Sequence, residues 1–90
     1  MIIERFHPGK ARMLYERYAE KGRLLPVGVN YLNSWIKEDL SVCYQVMKSD
    51  SIEKIHEWIS HWKDLADFEV IPVINSDEAK EKIFSINIKI

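Results

Sequence analysis

The sequence is short of the residues that mark several specialised classes of protein. It has one cysteine, Cys43, so no disulfide can form within the chain. Three glycines and three prolines in 90 residues exclude a collagen-like repeat and a flexible linker. The uncharged stretches are far shorter than the roughly 20 residues that span a bilayer, and residues 1–5 do not resemble a secretory signal peptide. We therefore expect a cytoplasmic protein with no membrane partner.

The chain also lacks an excess of charge of either sign. Thirteen basic and fourteen acidic residues give a formal net charge of −1, so the basic surface that nucleic acid requires is missing and we expect no nucleic-acid partner. Hydrophobic residues make up 47% of the chain and charged residues 30%, which excludes a disordered protein. This composition and length predict a single soluble α+β domain spanning residues 1–90.

Hydrophobic periodicity predicts the elements of the first half of the chain. Ile2–Phe6 is apolar and β-prone, and a 3.6-residue pattern then predicts a helix over about residues 9–22. Two strands, Val29–Lys37 and Leu40–Lys48, follow. Because few residues separate them, they should form an antiparallel hairpin.

The second half is predicted by the same rules. A capping pattern at residues 50–53 begins a helix over about residues 51–64. A buried strand is expected over residues 68–74, and a short helix over residues 77–82, capped by Asn75 or Ser76. Apolar and polar residues then alternate over residues 84–90, which predicts a half-buried fifth strand.

The order β-α-β-β-α-β matches the ferredoxin-like plan, in which one antiparallel sheet carries both long helices on a single face. The fold predicted is therefore ferredoxin-like βαββαβ with an added C-terminal short helix and strand. The other face of the sheet is rich in apolar residues, and no further helix covers it. Two copies packed face to face would bury it, so the expected partner is a second copy of the chain. The strand over residues 84–90 is expected to pair at a sheet edge, preferably that of the partner.

Several motifs together resemble one family of small bacterial and archaeal proteins. They include Tyr15-x-x-Tyr18-x-x-Lys21-Gly22-Arg23-x-Leu25-Pro26-x-Gly28, Asp39-Leu40-x-x-Cys43-Tyr44-Gln45-x-Met47, and Asp64-Leu65-x-x-Phe68-Glu69-Val70-x-Pro72-Val73. Over roughly residues 2–79 the chain is similar to domain-of-unknown-function family 3303. The resemblance implies a ferredoxin-like domain of the dimeric α/β-barrel kind, and it implies no activity, substrate or cofactor.

Metal and nucleophile chemistry find little support in the sequence. His56 and His61 lie five residues apart, about 140° around a helix, whereas paired helical ligands are four apart. His7 stands alone in a turn. Cys43 lies in mid-strand with no histidine near it in the sequence, so we interpret it as a buried structural residue. No metal site and no cofactor are predicted.

The strongest functional signal is a set of polar residues inside otherwise apolar strands: Glu4, Asn33, Ser34 and Gln45. The first and third strands are adjacent in a ferredoxin-like sheet, so Glu4 and Gln45 should be buried and within reach of each other. Buried polar groups need partners. They either form a polar network at a dimer interface or face a small-molecule pocket, and Trp58 and Trp62 are core residues or, less often, a surface on which a ligand stacks.

The predicted ligand site consists of Glu4, Tyr31, Ser34, Trp35 and Gln45, with Glu4 and Gln45 as its floor. The hairpin register decides which of these residues share a face. A two-residue turn pairs Ser34 with Cys43, and a three-residue turn pairs Trp35 with Cys43. The sequence does not decide between the two.

Two functions compete at this stage. The first is a homodimeric small-molecule-binding protein. The alternative is a cofactor-independent enzyme, monooxygenase-like or isomerase-like, since similar dimeric α/β barrels include such enzymes. Burial would raise the pKa of the Glu4 carboxyl and suit it to act as a base. No other catalytic residue is predicted.

Overall fold

The computed structural model describes residues 1–88, which form four strands and three helices. In chain order these are β1 (Ile2–Phe6), α1 (Ala11–Lys21), β2 (Val29–Ile36), β3 (Val42–Ser49), α2 (Ile52–Ser60), β4 (Ala66–Val70) and α3 (Ser76–Ile88). The mixed α+β class is confirmed, and the order of the first six elements is compatible with the ferredoxin-like plan. None of the helices within the described residues is long and apolar enough to cross a membrane.

The four strands form one antiparallel sheet in the order β2-β3-β1-β4. β1 and β3 are therefore central and adjacent, as predicted. In β1, Ile2 and Glu4 are buried while Ile3 and Arg5 are more exposed, because successive strand residues point to opposite faces. The buried face is the one that α1 and α2 cover.

The core lies between the sheet and these two helices. Its buried members come from β1, α1, β2, α2, the turn after α2, and β4: Ile2, Leu14, Val29, Ile55, Trp58, Trp62, Leu65 and Ala66. α1 ends at Gly22, whose φ of 69° is the left-handed value that glycine adopts most easily. α2 begins at Ser51, whose hydroxyl accepts a hydrogen bond from the Lys54 amide at 3.3 Å. The cap is thus one residue later than the Asp50–Glu53 pattern suggested.

The register of the β2–β3 hairpin matches neither of the two predicted turns. Ile36 pairs with Cys43 and Ser34 pairs with Gln45, so a longer loop over residues 37–41 joins the strands. Leu40, expected in the strand, lies in this loop with a φ of 65°. A bulge between Tyr31 and Asn33 inserts an extra residue into β2 and shifts the alternation of its side chains.

The predicted C-terminal strand is wrong. Residues 84–88 continue α3, and residues 89 and 90 lie outside the described part of the chain. The helix starts at a reciprocal cap, in which Asn75 Oδ1 accepts from the Glu78 amide and Asn75 Nδ2 donates to Glu78 Oε1, both at 2.8 Å. Ala79 and the charged residues that follow it are good helix formers. Once begun, the helix propagates through the alternating segment because each added residue gains a backbone hydrogen bond.

Candidate functional site

Glu4 and Gln45 lie side by side on the two central strands, on the face that the helices cover. Glu4 pairs with Cys43 of β3, and two residues toward the chain start, on the same face of the sheet, Ile2 pairs with Gln45. Only 4% of Glu4 and 6% of Gln45 are exposed. Gln45 Nε2 donates a hydrogen bond to Glu4 Oε2 at 3.3 Å. The prediction that the two residues are buried and in reach of each other is confirmed.

A cavity of about 140 Å³ lies above this pair, between the sheet and the helices. Sheet, helices and the loop after α1 all contribute to its lining: Glu4, Leu14, Tyr15, Tyr18, Arg23, Ser34, Ile36, Cys43, Gln45, Trp58 and Trp62. An engineered cavity of about 150 Å³ in another protein holds benzene. The cavity therefore has room for a single six-membered ring with small substituents, and its lining joins aromatic surfaces to a few polar groups, as in ligand sites generally.

Two tryptophans close the α2 side of the cavity. Trp58 and Trp62 are each only 3% exposed, and Trp58 packs edge to face on Phe68 with ring centroids 5.5 Å apart. Both indole N–H groups donate to the same acceptor, the backbone carbonyl of Arg23, at 2.9 and 3.1 Å. The two residues are thus core residues and cavity lining together, and they fix the loop that follows α1.

The Arg23 side chain lies over two tyrosines. Its guanidinium carbon is 3.6 Å from the centroid of the Tyr31 ring and 4.8 Å from that of Tyr18, and Nη1 donates to the Tyr18 hydroxyl at 2.9 Å. Stacking of a guanidinium on aromatic faces is favourable and fixes its orientation. A positive charge therefore stands in the lining of a cavity whose floor carries a carboxyl group.

Burial controls the acid–base chemistry of the cavity. Desolvation raises the pKa of Glu4 from its ordinary 4.5 to about 7. Desolvation, followed by the negative charge of Glu4, raises the pKa of the Cys43 thiol to about 12. Cys43 therefore stays a neutral thiol, as its interpretation as a structural residue requires, whereas Glu4 gains and loses its proton near neutral pH.

The family model described as Domain of unknown function (DUF3303) matches residues 1–85. The chain belongs to the DUF3303 family. No curated protein and no solved structure matches it. DUF3303 membership carries no assigned activity.

The cavity of this DUF3303 chain brings together some of the predicted ligand-site residues and separates others. Ser34 lines the cavity beside Glu4 and Gln45, and its hydroxyl shares a hydrogen bond of 2.5 Å with that of Tyr31. The bulge in β2 lets Tyr31 and Ser34 point to the same face although they are three residues apart. Trp35 lies on the opposite face, paired with Tyr44 and 55% exposed. It is not part of the cavity lining.

The sequence indicated Trp58 and Trp62 as a possible ligand surface, but sequence reasoning missed the residues that α1 and the loop after it contribute. Tyr15 and Tyr18 are spaced to share one side of α1, and Arg23 follows the glycine that ends that helix. The available signal was that aromatic side chains line the inner faces of both helices, over strands that carry buried polar residues. The histidines take no part: His7 contacts Asp67 at 2.9 Å outside the cavity, and no metal-binding cluster occurs among residues 1–88.

Proposed function

We propose that this protein is a homodimer that binds a small organic molecule in the cavity between the sheet and helices α1 and α2. One observation carries the proposal: a buried carboxyl–amide pair, Glu4 and Gln45, lies on the floor of a cavity with aromatic sides. A polar pair that served only the fold would be expected under close-packed side chains. Here about 140 Å³ above it is left for a ligand.

The fit between cavity and ligand is one of size and polarity. The aromatic and aliphatic sides would exclude water from a ring-sized molecule, and the floor would orient it through a few hydrogen bonds. Gln45 has one amide hydrogen and its carbonyl oxygen beyond the bond to Glu4. The Glu4 carboxyl donates when protonated and accepts when ionised.

The test is a screen of ring-sized fragments by protein-observed NMR, using the wild type and Gln45→Leu. The matched control is Asn33→Leu, which removes a similar amide from the exposed opposite face of the sheet. We expect fragments that shift the indole resonances of Trp58 and Trp62 to bind the wild type and Asn33→Leu alike, and to lose binding in Gln45→Leu. Equal binding by all three proteins would refute the site.

Dimerisation is supported by the open face of the sheet. Trp35, Tyr44 and Ile3 occupy one row across three strands there, through the pairs Trp35–Tyr44 and Tyr44–Ile3. Val42 and Val46 of β3 lie on the same face, on either side of that row. A continuous apolar strip of this kind favours contact with a second copy, as expected from the dimeric α/β-barrel arrangement.

A cofactor-independent enzyme is the second candidate, and Glu4 favours it. A general base works best when its pKa lies near the working pH, and that of Glu4 is about 7. In an isomerase-like reaction the Glu4 carboxylate would take a proton from a substrate carbon and return it to another. A monooxygenase-like reaction would begin with the same removal of a proton, after which dioxygen would transfer one oxygen atom to that carbon and release the other as water. Glu4→Gln should then keep binding but stop exchange of that substrate proton with deuterated solvent, as followed by NMR.

A further inference from the structure

We propose that the ligand of this cavity is a small planar organic anion, and that Arg23 recognises its negative charge. The inference rests on the proposed function and adds the chemical class of the ligand. It follows from the way Arg23 is held, from the partners of its guanidinium and from the surfaces around it.

The backbone at Arg23 has an unusual conformation, which hydrogen bonds hold in place. Gly22 and Leu24, on either side, have φ values of 69° and 61°, and a left-handed conformation is unfavourable for leucine. The backbone carbonyl of Arg23 accepts hydrogen bonds from the indole N–H groups of Trp58 and Trp62. Strained backbone that the surrounding structure stabilises occurs preferentially at ligand sites. The strained loop here directs one side chain, that of Arg23, to the cavity.

Arg23 differs from the other arginines because its guanidinium has no carboxylate partner among the described residues. All four arginines lie within the described residues. Arg5, Arg12 and Arg17 each form an ion pair with a carboxylate, at distances of 2.8 to 3.1 Å. Within the part of the chain that the structure describes Arg23 forms none, and Tyr18 and Tyr31 hold its guanidinium through their rings and one hydroxyl.

A guanidinium has five N–H donors, and Arg23 gives one of them to Tyr18. The remaining donors sit in a fixed fork that suits the two oxygens of a carboxylate. Because the stacking tyrosines already restrict the side chain, little conformational entropy is lost when an anion binds. Arg23 therefore forms a preorganised anion site that no carboxylate of the described residues occupies.

The expectation that the ligand is planar follows from the aromatic surfaces of the cavity. Trp58 and Trp62 bound the same cavity, and rings pack best on the faces or edges of other rings. A cavity of about 140 Å³ fits one six-membered ring. Arg23 and Glu4 do not form an ion pair with each other within the described chain. The ligand would therefore contact the Arg23 guanidinium with its anionic group, and the Glu4 carboxyl with the opposite side of its ring.

The probes that test this are benzoate and benzamide, which share size and shape and differ in charge. Dissociation constants would be measured by NMR titration with the wild type, Arg23→Gln, Arg23→Lys and the control Arg12→Gln on the exposed side of α1. We expect benzoate to bind the wild type and the control at least about tenfold more tightly than benzamide. Arg23→Gln should remove this preference and leave benzamide binding unchanged, and Arg23→Lys should keep part of it.

The comparison of the two probes on the wild type needs no variant, so it remains decisive if Arg23→Gln folds poorly. Equal affinities for benzoate and benzamide, with both binding lost in Gln45→Leu, would overturn the recognition of an anion and leave the proposed ligand site intact. Probes that shift no cavity resonance in any of the proteins would overturn both. An unchanged preference in a folded Arg23→Gln would show that another group selects the anion.

Discussion

Gln45 Nε2 donates a hydrogen bond to Glu4 Oε2 across the two central strands, with both side chains buried. The two residues are far apart in the sequence, and they are neighbours because the ferredoxin-like strand order places β1 beside β3. The bond places a titratable acid and an amide at the floor of a cavity with aromatic sides. From this pair follow both the expected dependence of stability on pH and the expected dependence of binding on pH.

The first prediction concerns stability. The folded chain holds the Glu4 proton more tightly than the unfolded chain, since the pKa is about 7 against an ordinary 4.5. The stabilisation is therefore complete below pH about 4.5 and is lost as the pH rises to about 7. At about 1.4 kcal/mol per pH unit, the loss is at most about 3.5 kcal/mol.

Glu4→Gln should not show this loss, because its side chain is neutral throughout. The measurement is urea denaturation at pH 4.5 to 8, with the exposed Glu20→Gln on α1 as the control. The free energy of unfolding of Glu4→Gln, relative to the wild type, should rise over this window while that of Glu20→Gln stays level. Parallel curves for the wild type and Glu4→Gln would contradict a raised pKa.

The second prediction links binding to the same proton. An ionised Glu4 repels an anionic ligand in the cavity, so benzoate affinity should fall by about tenfold between pH 6 and pH 8. Around Glu4, α1 contributes Tyr15 and β3 contributes Cys43, both with raised pKa values, and the loop contributes Arg23. The residues that face it from α2, from the turn after α2 and from β4 are Trp58, Trp62 and Phe68, and their side chains have no titratable group. Calorimetry should show a flat pH profile for Glu4→Gln, and a profile like that of the wild type would exclude Glu4 as the linked group.

The third prediction concerns the dimer. Trp35→Lys places a charge in the apolar strip of the open face, and burial of an unpaired charge is costly. We expect the dimer dissociation constant to rise by about a hundredfold or more in analytical ultracentrifugation. Met13→Lys, which also introduces a lysine in place of an apolar residue but at an exposed position of α1, should have no effect. A wild-type protein that sediments as a 10.7 kDa monomer would refute the dimer.

The fourth prediction concerns the loop between β2 and β3. Leu40 has a φ of 65° and is 63% exposed. Its backbone is therefore strained, and burial of its side chain contributes little stability. Leu40→Gly should raise the free energy of unfolding by about 0.5–1 kcal/mol, because glycine adopts this conformation without a steric cost. Leu40→Ala keeps the Cβ atom and should bring no such gain. Urea denaturation of the three proteins distinguishes the outcomes, and a glycine variant less stable than the alanine one would contradict the strain.

The fifth prediction concerns α3. Residues 71–85 are exposed apart from the half-buried Ala79, so the helix depends on its own cap. Asn75→Ala should destabilise it by about 1 kcal/mol and reduce the helical Cα chemical shifts of residues 76–84. Ser76→Ala, one residue further on, is the control. Strand-type shifts over residues 84–88 in the wild type would contradict the helix.

Much of the fold could be predicted because its signals are local. Alternation and apolar runs located β1 to β4 to within a few residues, and Gly22 and the capping residues located the ends of α1 and α2. The burial of Glu4 against Gln45 followed from topology, since the ferredoxin-like order makes their strands adjacent. These inferences needed only periodicity and the rule that buried polar groups have partners.

The remaining features depend on interactions that residue types do not encode. The long loop over residues 37–41 sets the register in which Ser34 faces the cavity and Trp35 the opposite side, and the bulge in β2 brings Tyr31 to the face of Ser34. Neither feature leaves a clear pattern in a single sequence. The segment from Phe84 onward alternates like a strand, yet the helix begun at Asn75 extends through it. The position of Arg23 depends on two indole groups nearly forty residues away, a relation that only the folded chain shows.

Intermolecular NOEs between protein and ligand show where a ligand binds. With benzoate as the probe and ¹³C-labelled protein, we expect NOEs from the ring protons to Leu14, Trp58 and Trp62, and line broadening or shifts at the Arg23 guanidinium. NOEs to Trp35 and Tyr44 instead would place the probe on the open face of the sheet. That result would contradict the account.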